Sequence, residues 1–116
     1  MDVERTKRRF PRVKSENPLL VKKLGPEALE GFARTRTMGL GGCGFINPES
    51  YGVESPLELL INVGGRMVSV VGRVAYENPL PDGSKEIGVE FLSIAPEDRK
   101  VIEDLFESRG TIFSDG

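Results

Sequence analysis

Two apolar, β-branched runs, Leu57 to Val63 and Arg66 to Tyr76, are separated only by Gly64-Gly65, the composition of a two-residue hairpin turn. Along the second run Val68, Val70, Gly72, Val74 and Tyr76 recur at period two, which assigns them to one face of a strand. A second hairpin follows, with Pro81-Asp82-Gly83 turning the chain into Glu86 to Ile94, where Ile87, Val89 and Phe91 share a face. Upstream, Leu19 to Leu24 predicts a short strand, Gly25-Pro26-Glu27 a turn, Leu29 to Arg36 another strand, and Asn47-Pro48-Glu49-Ser50-Tyr51-Gly52 a loop. The period changes only near the end, where Val101, Ile102, Leu105 and Phe106 form a helical stripe suited to packing on the strands. Pro96 fits the first helical position, Glu97 and Asp98 complement the positive end of the helix dipole, and Gly110 supplies a stop. Strands joined by short turns are antiparallel. Six of them on 116 residues predict an all-β fold, a small closed or nearly closed six-stranded antiparallel barrel with one C-terminal α-helix.

The stretch Thr37-Met38-Gly39-Leu40-Gly41-Gly42-Cys43-Gly44-Phe45 stands apart, with four of the 14 glycines in nine residues. Glycine costs backbone entropy in strand or helix, and its usual uses are positive φ, a bulge, or close approach of a ligand or second backbone. With Phe32 to Arg36 read as a strand on entry and Cys43 to Ile46 as one on exit, the stretch predicts a turn with exposed backbone N–H groups. That turn is either a plain hairpin bend or a nest for an anion.

Composition removes several functions. The chain has no histidine and one cysteine, which excludes a structural zinc site, an intramolecular disulfide and Ser-His-Asp or Cys-His catalysis. Cys43 reads as a small apolar residue opening a buried strand. Carboxylates are plentiful but none is paired with a nucleophile or base, so no catalytic residue and no enzyme are expected. The first residues carry no apolar core of a secretion signal, and no apolar run approaches the ~20 residues of a membrane helix, so the expectation is a cytoplasmic protein without membrane insertion.

The net charge of −2 is unevenly spread, since residues 1–14 hold six basic side chains against two acidic ones, +4, leaving −6 on the rest. The chain thus divides into a basic arm over 1–14, extended near Pro11, a barrel with its helix over 15–110 and a tail over 111–116. The arm is either a solvated tail or a binder of phosphate. Four of its cations are arginines, whose planar fork pairs bidentately with phosphate or a guanine edge. Nucleic acid is not an expected partner, because the acidic body repels a polyanion and no strand face interleaves aromatics with cations.

Basic arm, six-stranded barrel, early glycine turn and C-terminal helix together resemble the PilZ domain family, over about Arg5 to Phe106. Members that bind the bacterial second messenger cyclic di-GMP carry Arg-x-x-x-Arg before the first strand, matched by Arg8-Arg9-Phe10-Pro11-Arg12. Their second motif is Asp or Asn, any residue, Ser, two residues and Gly. It falls on Thr37-Met38-Gly39-Leu40-Gly41-Gly42, where Gly42 matches while Thr37 and Gly39 depart. The segment Ile87-Gly88-Val89-Glu90-Phe91-Leu92 is similar to the family's last strand. The resemblance implies a signalling receptor for cyclic di-GMP, with no metal and no cofactor beyond that ligand, acting on an effector protein. The implied ligand-binding residues are Arg8, Arg9, Arg12, Thr37, Gly39, Gly41 and Gly42. The alternative is a degenerate PilZ adaptor that has lost the nucleotide and works by protein–protein interaction in motility or pilus function. Two lost hydrogen bonds of about 0.5–3 kcal/mol each would weaken binding roughly tenfold to a thousandfold or more.

Overall fold

A computed structural model describes residues 12–26 and 29–108. Within them lie seven strands and one helix: β1 (Arg12–Lys14), β2 (Pro18–Lys23), β3 (Glu30–Gly39), β4 (Gly42–Asn47), β5 (Pro56–Val63), β6 (Arg66–Pro79), β7 (Lys85–Ile94) and α1 (Pro96–Ser108). Every pairing is antiparallel, and six strands close into a barrel in the order β2-β5-β6-β7-β4-β3, with β3 returning to β2. The seventh strand, β1, pairs only with β3, ahead of β2 along the same strand. The six-stranded barrel with its helix is therefore the fold the periodicities predict, with one short strand added.

Alternation builds the wall. Leu57, Leu59, Ile61 and Val63 of β5 are buried, as are Val68, Val70, Gly72 and Val74 of β6, while the residues between them face outward or are partly covered. The Gly64-Gly65 turn joins these strands with both glycines at positive φ, 59° and 87°. At the open end α1 contributes Val101, Ile102 and Phe106 to the same core. Burying a side chain such as Phe106 contributes about 1.5–3 kcal/mol. Asp98 Oδ2 accepts the Ser69 N–H at 3.2 Å, beyond the last β6–β7 pair at Val70 and Ile94, so the helix start also occupies the edge of β6. Among the described residues no helix is long and apolar enough to cross a membrane.

Four expectations change. Arg12–Lys14, read as the end of the arm, is strand β1, because Val13 has a half-buried place against the core between two outward-facing cations. The glycine stretch is mostly strand: β3 runs to Gly39 and β4 starts at Gly42, so only Leu40 and Gly41 turn. That bend is not a bare loop of exposed N–H groups, because Gly39, Leu40 and Gly42 are buried and the Leu40 side chain joins the core. Tyr76 does not share the Val74 face. Val74 pairs with Val89 but Tyr76 with Gly88, and the extra residue Ala75 turns Tyr76 outward. Arg8, Arg9, the turn residue Glu27 and the helix stop Gly110 lie outside the described residues.

The loop after β4 is held by one carboxylate. Glu77 accepts hydrogen bonds from Ser50 Oγ at 2.5 Å, Tyr51 N–H at 2.8 Å and Gly52 N–H at 3.1 Å. Burial raises its pKa, but these three donors and nearby Lys85 more than offset it, holding the carboxyl below its ordinary value.

Candidate ligand site

Register brings the second arginine of the arm motif onto the glycine stretch. Arg12 stands opposite Gly39, Val13 opposite Met38 and Lys14 opposite Thr37. Next to this, Met38 pairs with Cys43 and Thr37 with Gly44. Met38, Cys43 and Phe45 point into the core, so period two turns Gly42 and Gly44 to the outer surface. The Arg12 side chain crosses Gly42, and a Cβ built there would lie 2.9 Å from its Nη2 and against the Val89 carbonyl. Close approach, rather than positive φ, is thus what requires glycine at this point, and Gly42 is not among the positive-φ residues. The Gly41 carbonyl accepts the Phe91 N–H at 2.9 Å, which ties the bend to β7.

A bulge sets the neighbouring side chain. Thr35 pairs with Phe45 and Thr37 with Gly44, so β3 holds one residue more than β4 between these pairs, and that residue is Arg36. Thr35 is consequently fully buried, and Thr37, two positions on, faces out with Oγ1 2.9 Å from the place of a Cβ on Gly44. Inside, the Thr35 and Ser15 hydroxyls are hydrogen-bonded at 2.5 Å, Thr35 Oγ1 accepts the Asn17 N–H at 2.8 Å, and the Ser15 N–H donates to the Arg36 carbonyl at 3.1 Å. This buried cluster anchors the base of β1, and with it the position of Arg12.

A second bulge completes the surface. Tyr76 lays its ring on Gly88, which has no side chain to lift it, and its hydroxyl reaches 4.0 Å from the Cβ place on Gly44. Thr37, Gly44, Gly88 and Tyr76 therefore form a row across β3, β4, β7 and β6, in which the hydroxyl and the phenol ring lie over two buried glycines. Beside it a groove of about 690 Å³ is lined by Lys14, Arg36, Thr37, Ile46 and Glu86 among others. Guanidinium, hydroxyl and aromatic ring on one outer face suit a planar anionic ligand. Beneath, burial pushes the Cys43 thiol up to about 12, with the Arg12 charge pulling the other way, so it stays a protonated packing group. Among the described residues no cluster of side chains could hold a metal ion.

Of the residues singled out in the sequence, the structure brings together Arg12, Thr37, Gly39, Gly41 and Gly42. Tyr76, Lys14 and Arg36 were missed. Tyr76 was hidden by a bulge that periodicity does not reveal. Its only sequence signal is Gly88, the small residue opposite it.

Comparison with solved structures finds the same fold at low identity. The Bacillus subtilis inhibitor of motility MotI/DgrA matches with TM-score 0.73 and 16% identity, covering 88% of this chain and 51% of that one. YcgR from Escherichia coli in complex with cyclic di-GMP matches with TM-score 0.71 and 16% identity, covering 90% and 46%. The isolated PilZ domain of Escherichia coli YcgR with cyclic di-GMP matches with TM-score 0.63 and 15% identity, covering 91% and 99%. The chain thus spans about half the length of MotI/DgrA and of the longer YcgR chain, and nearly all of the isolated domain. A search of curated protein sequences finds no significant match. The profile of the PilZ domain matches residues 6–108, and the chain belongs to the PilZ domain family.

Proposed function

We propose that this chain is a cyclic di-GMP receptor module, acting in the cytoplasm on an effector protein and without catalysis. The observation that carries the reading is the Arg12 side chain lying across Gly42 and opposite Gly39 on the outer face of the barrel. In this mechanism Arg12 pairs with a phosphate or a guanine edge, and Arg8 and Arg9 add contacts from the arm. The Thr37 hydroxyl adds a contact, and Gly39, Gly41 and Gly42 keep the surface beneath Arg12 free of side chains. Tyr76 offers an aromatic face to a purine. Contacts between arm and ligand are the element through which binding reaches the effector. Support comes from family membership, from the +4 charge of residues 1–14 and from two structural neighbours that hold cyclic di-GMP.

Calorimetry with cyclic di-GMP on the full chain tests this. Arg12→Ala, with a thermal melt to show that it folds, is expected to weaken binding at least about tenfold, as loss of a charged hydrogen bond of about 1.5–3 kcal/mol implies. Absence of heat at millimolar ligand overturns the reading. The departures at Thr37 and Gly39 favour a second reading, an adaptor that has lost the nucleotide. A stable partner retained by nucleotide-free protein, with no ligand heat, supports it.

A further inference from the structure

The first half of β3 has one neighbour. Residues 30–34 pair with β2, but pairing with β4 begins only at Thr35 opposite Phe45, so among the described residues no strand covers the other edge of 30–34. The cause is local. Beyond Phe45 the β4 residues Ile46 and Asn47 pair only with β7, and then Pro48 follows and the Asn47 side chain donates to the Glu49 carbonyl at 2.7 Å, turning the chain away. Tyr51 then tucks under the barrel end, with its hydroxyl 3.5 Å from the Cβ place on Gly31, so the loop passes beneath β3 and not along it.

What this leaves outside is a second groove, lined by Phe32, Ala33, Arg34, Arg36 and Ile46. Phe32, on this lining, is 84% exposed. The lining has two arginines and no acid, on a chain whose residues 15–116 carry −6. An open edge presents unpaired N–H and C=O groups, and natural proteins guard it with charge against pairing with copies of themselves. The edge carries Glu30 at its start and Arg34 and Arg36 at its end, so its second half attracts an acidic strand.

We infer that this edge takes an extended acidic segment of a partner protein, which adds a strand to β3, places apolar side chains on Phe32 and Ile46, and pairs carboxylates with Arg34 and Arg36. The inference does not depend on nucleotide binding. The groove shares Arg36 with the groove beside Thr37, so the docked segment would end next to the candidate ligand site.

The test uses the full chain without nucleotide and three blocked eight-residue probes: an Asp/Val peptide of two Asp-Thr-Val-Thr repeats, which puts Asp and Val on one face of a strand as Arg34 and Phe32 are on β3, a Lys/Val peptide of two Lys-Thr-Val-Thr repeats, and the Asp/Val peptide with alternate backbone nitrogens methylated. Nuclear magnetic resonance is expected to show Asp/Val binding, with shifts and slowed hydrogen exchange along residues 30–34. The Lys/Val and methylated probes are expected to bind at least about tenfold more weakly, and Phe32→Ser and the pair Arg34→Glu with Arg36→Glu to weaken the Asp/Val peptide by a similar factor. Phe32 lies outside the core, so the melting temperature should hold. Equal binding of the methylated peptide, equal binding of an oligothymidine strand, shifts elsewhere, or no binding at millimolar peptide each overturn the inference.

Discussion

The β5–β6 hairpin and the β3–β4 bend both turn beside a pair of adjacent glycines, yet the glycines do opposite work. Gly64 and Gly65 sit at positive φ, and a Cβ on either would meet nothing within 4 Å. Gly42 has no such φ, and a Cβ there would strike the Val89 carbonyl and the Arg12 guanidinium. One pair supplies backbone angles that side chains resist. In the other, Gly42 withholds a side chain so that an arginine can lie on the sheet. The same letters thus mark a turn in one place and a surface in the other, and only the neighbours across the sheet tell them apart.

The comparison breaks if adding one methyl costs the same at both places. Gly42→Ala and Gly88→Ala force carbon into occupied space, and each is expected to cost about 3 kcal/mol, the upper end for overpacking, in denaturant unfolding. Tyr76→Ala should return part of the Gly88→Ala loss, since the two share one contact, but none of the Gly42→Ala loss. Gly42→Ala should also speed labelling of Cys43 at pH 8, where a buried thiol with a pKa near 12 otherwise reacts slowly. Gly65→Ala meets no atom and carries only the left-handed cost, about 1–2 kcal/mol. Smallest is Glu77→Gln, at about 1 kcal/mol at neutral pH. Its folded pKa is depressed, so the contribution of the carboxylate is full above the unfolded value near 4.5 and disappears as pH falls through the lower folded value. Wild type and variant should therefore converge in acid, and a gap constant with pH would show that the loop around Gly52 depends on shape alone.

The barrel was legible because its signals repeat. Ile87 and Val89 alternate toward the core as their spacing predicts, and Val101, Ile102 and Phe106 form the buried helical face. β1 was not legible, since three residues held by Val13, Ser15 and Thr35 produce no period of their own. For the candidate site, the motif resemblance put Arg12 and Gly42 in one set and register brings them side by side, but the outward turn of Tyr76 depends on a bulge at Ala75, and the open edge of β3 depends on where β4 parts from it. Both facts belong to pairs of strands, and a single sequence lists strands one at a time.

The bulge at Arg36 bears on how relatives of this chain are to be compared. Thr35 and Thr37 are the same residue two places apart, yet one lines the interior and the other the surface. A homologue that kept all three residues from Thr35 to Thr37 but paired them regularly, without the bulge, would put the second threonine indoors. Matching letters in the neighbouring motif therefore carry the same meaning only where the pairing of Thr35 with Phe45 and of Thr37 with Gly44 is conserved.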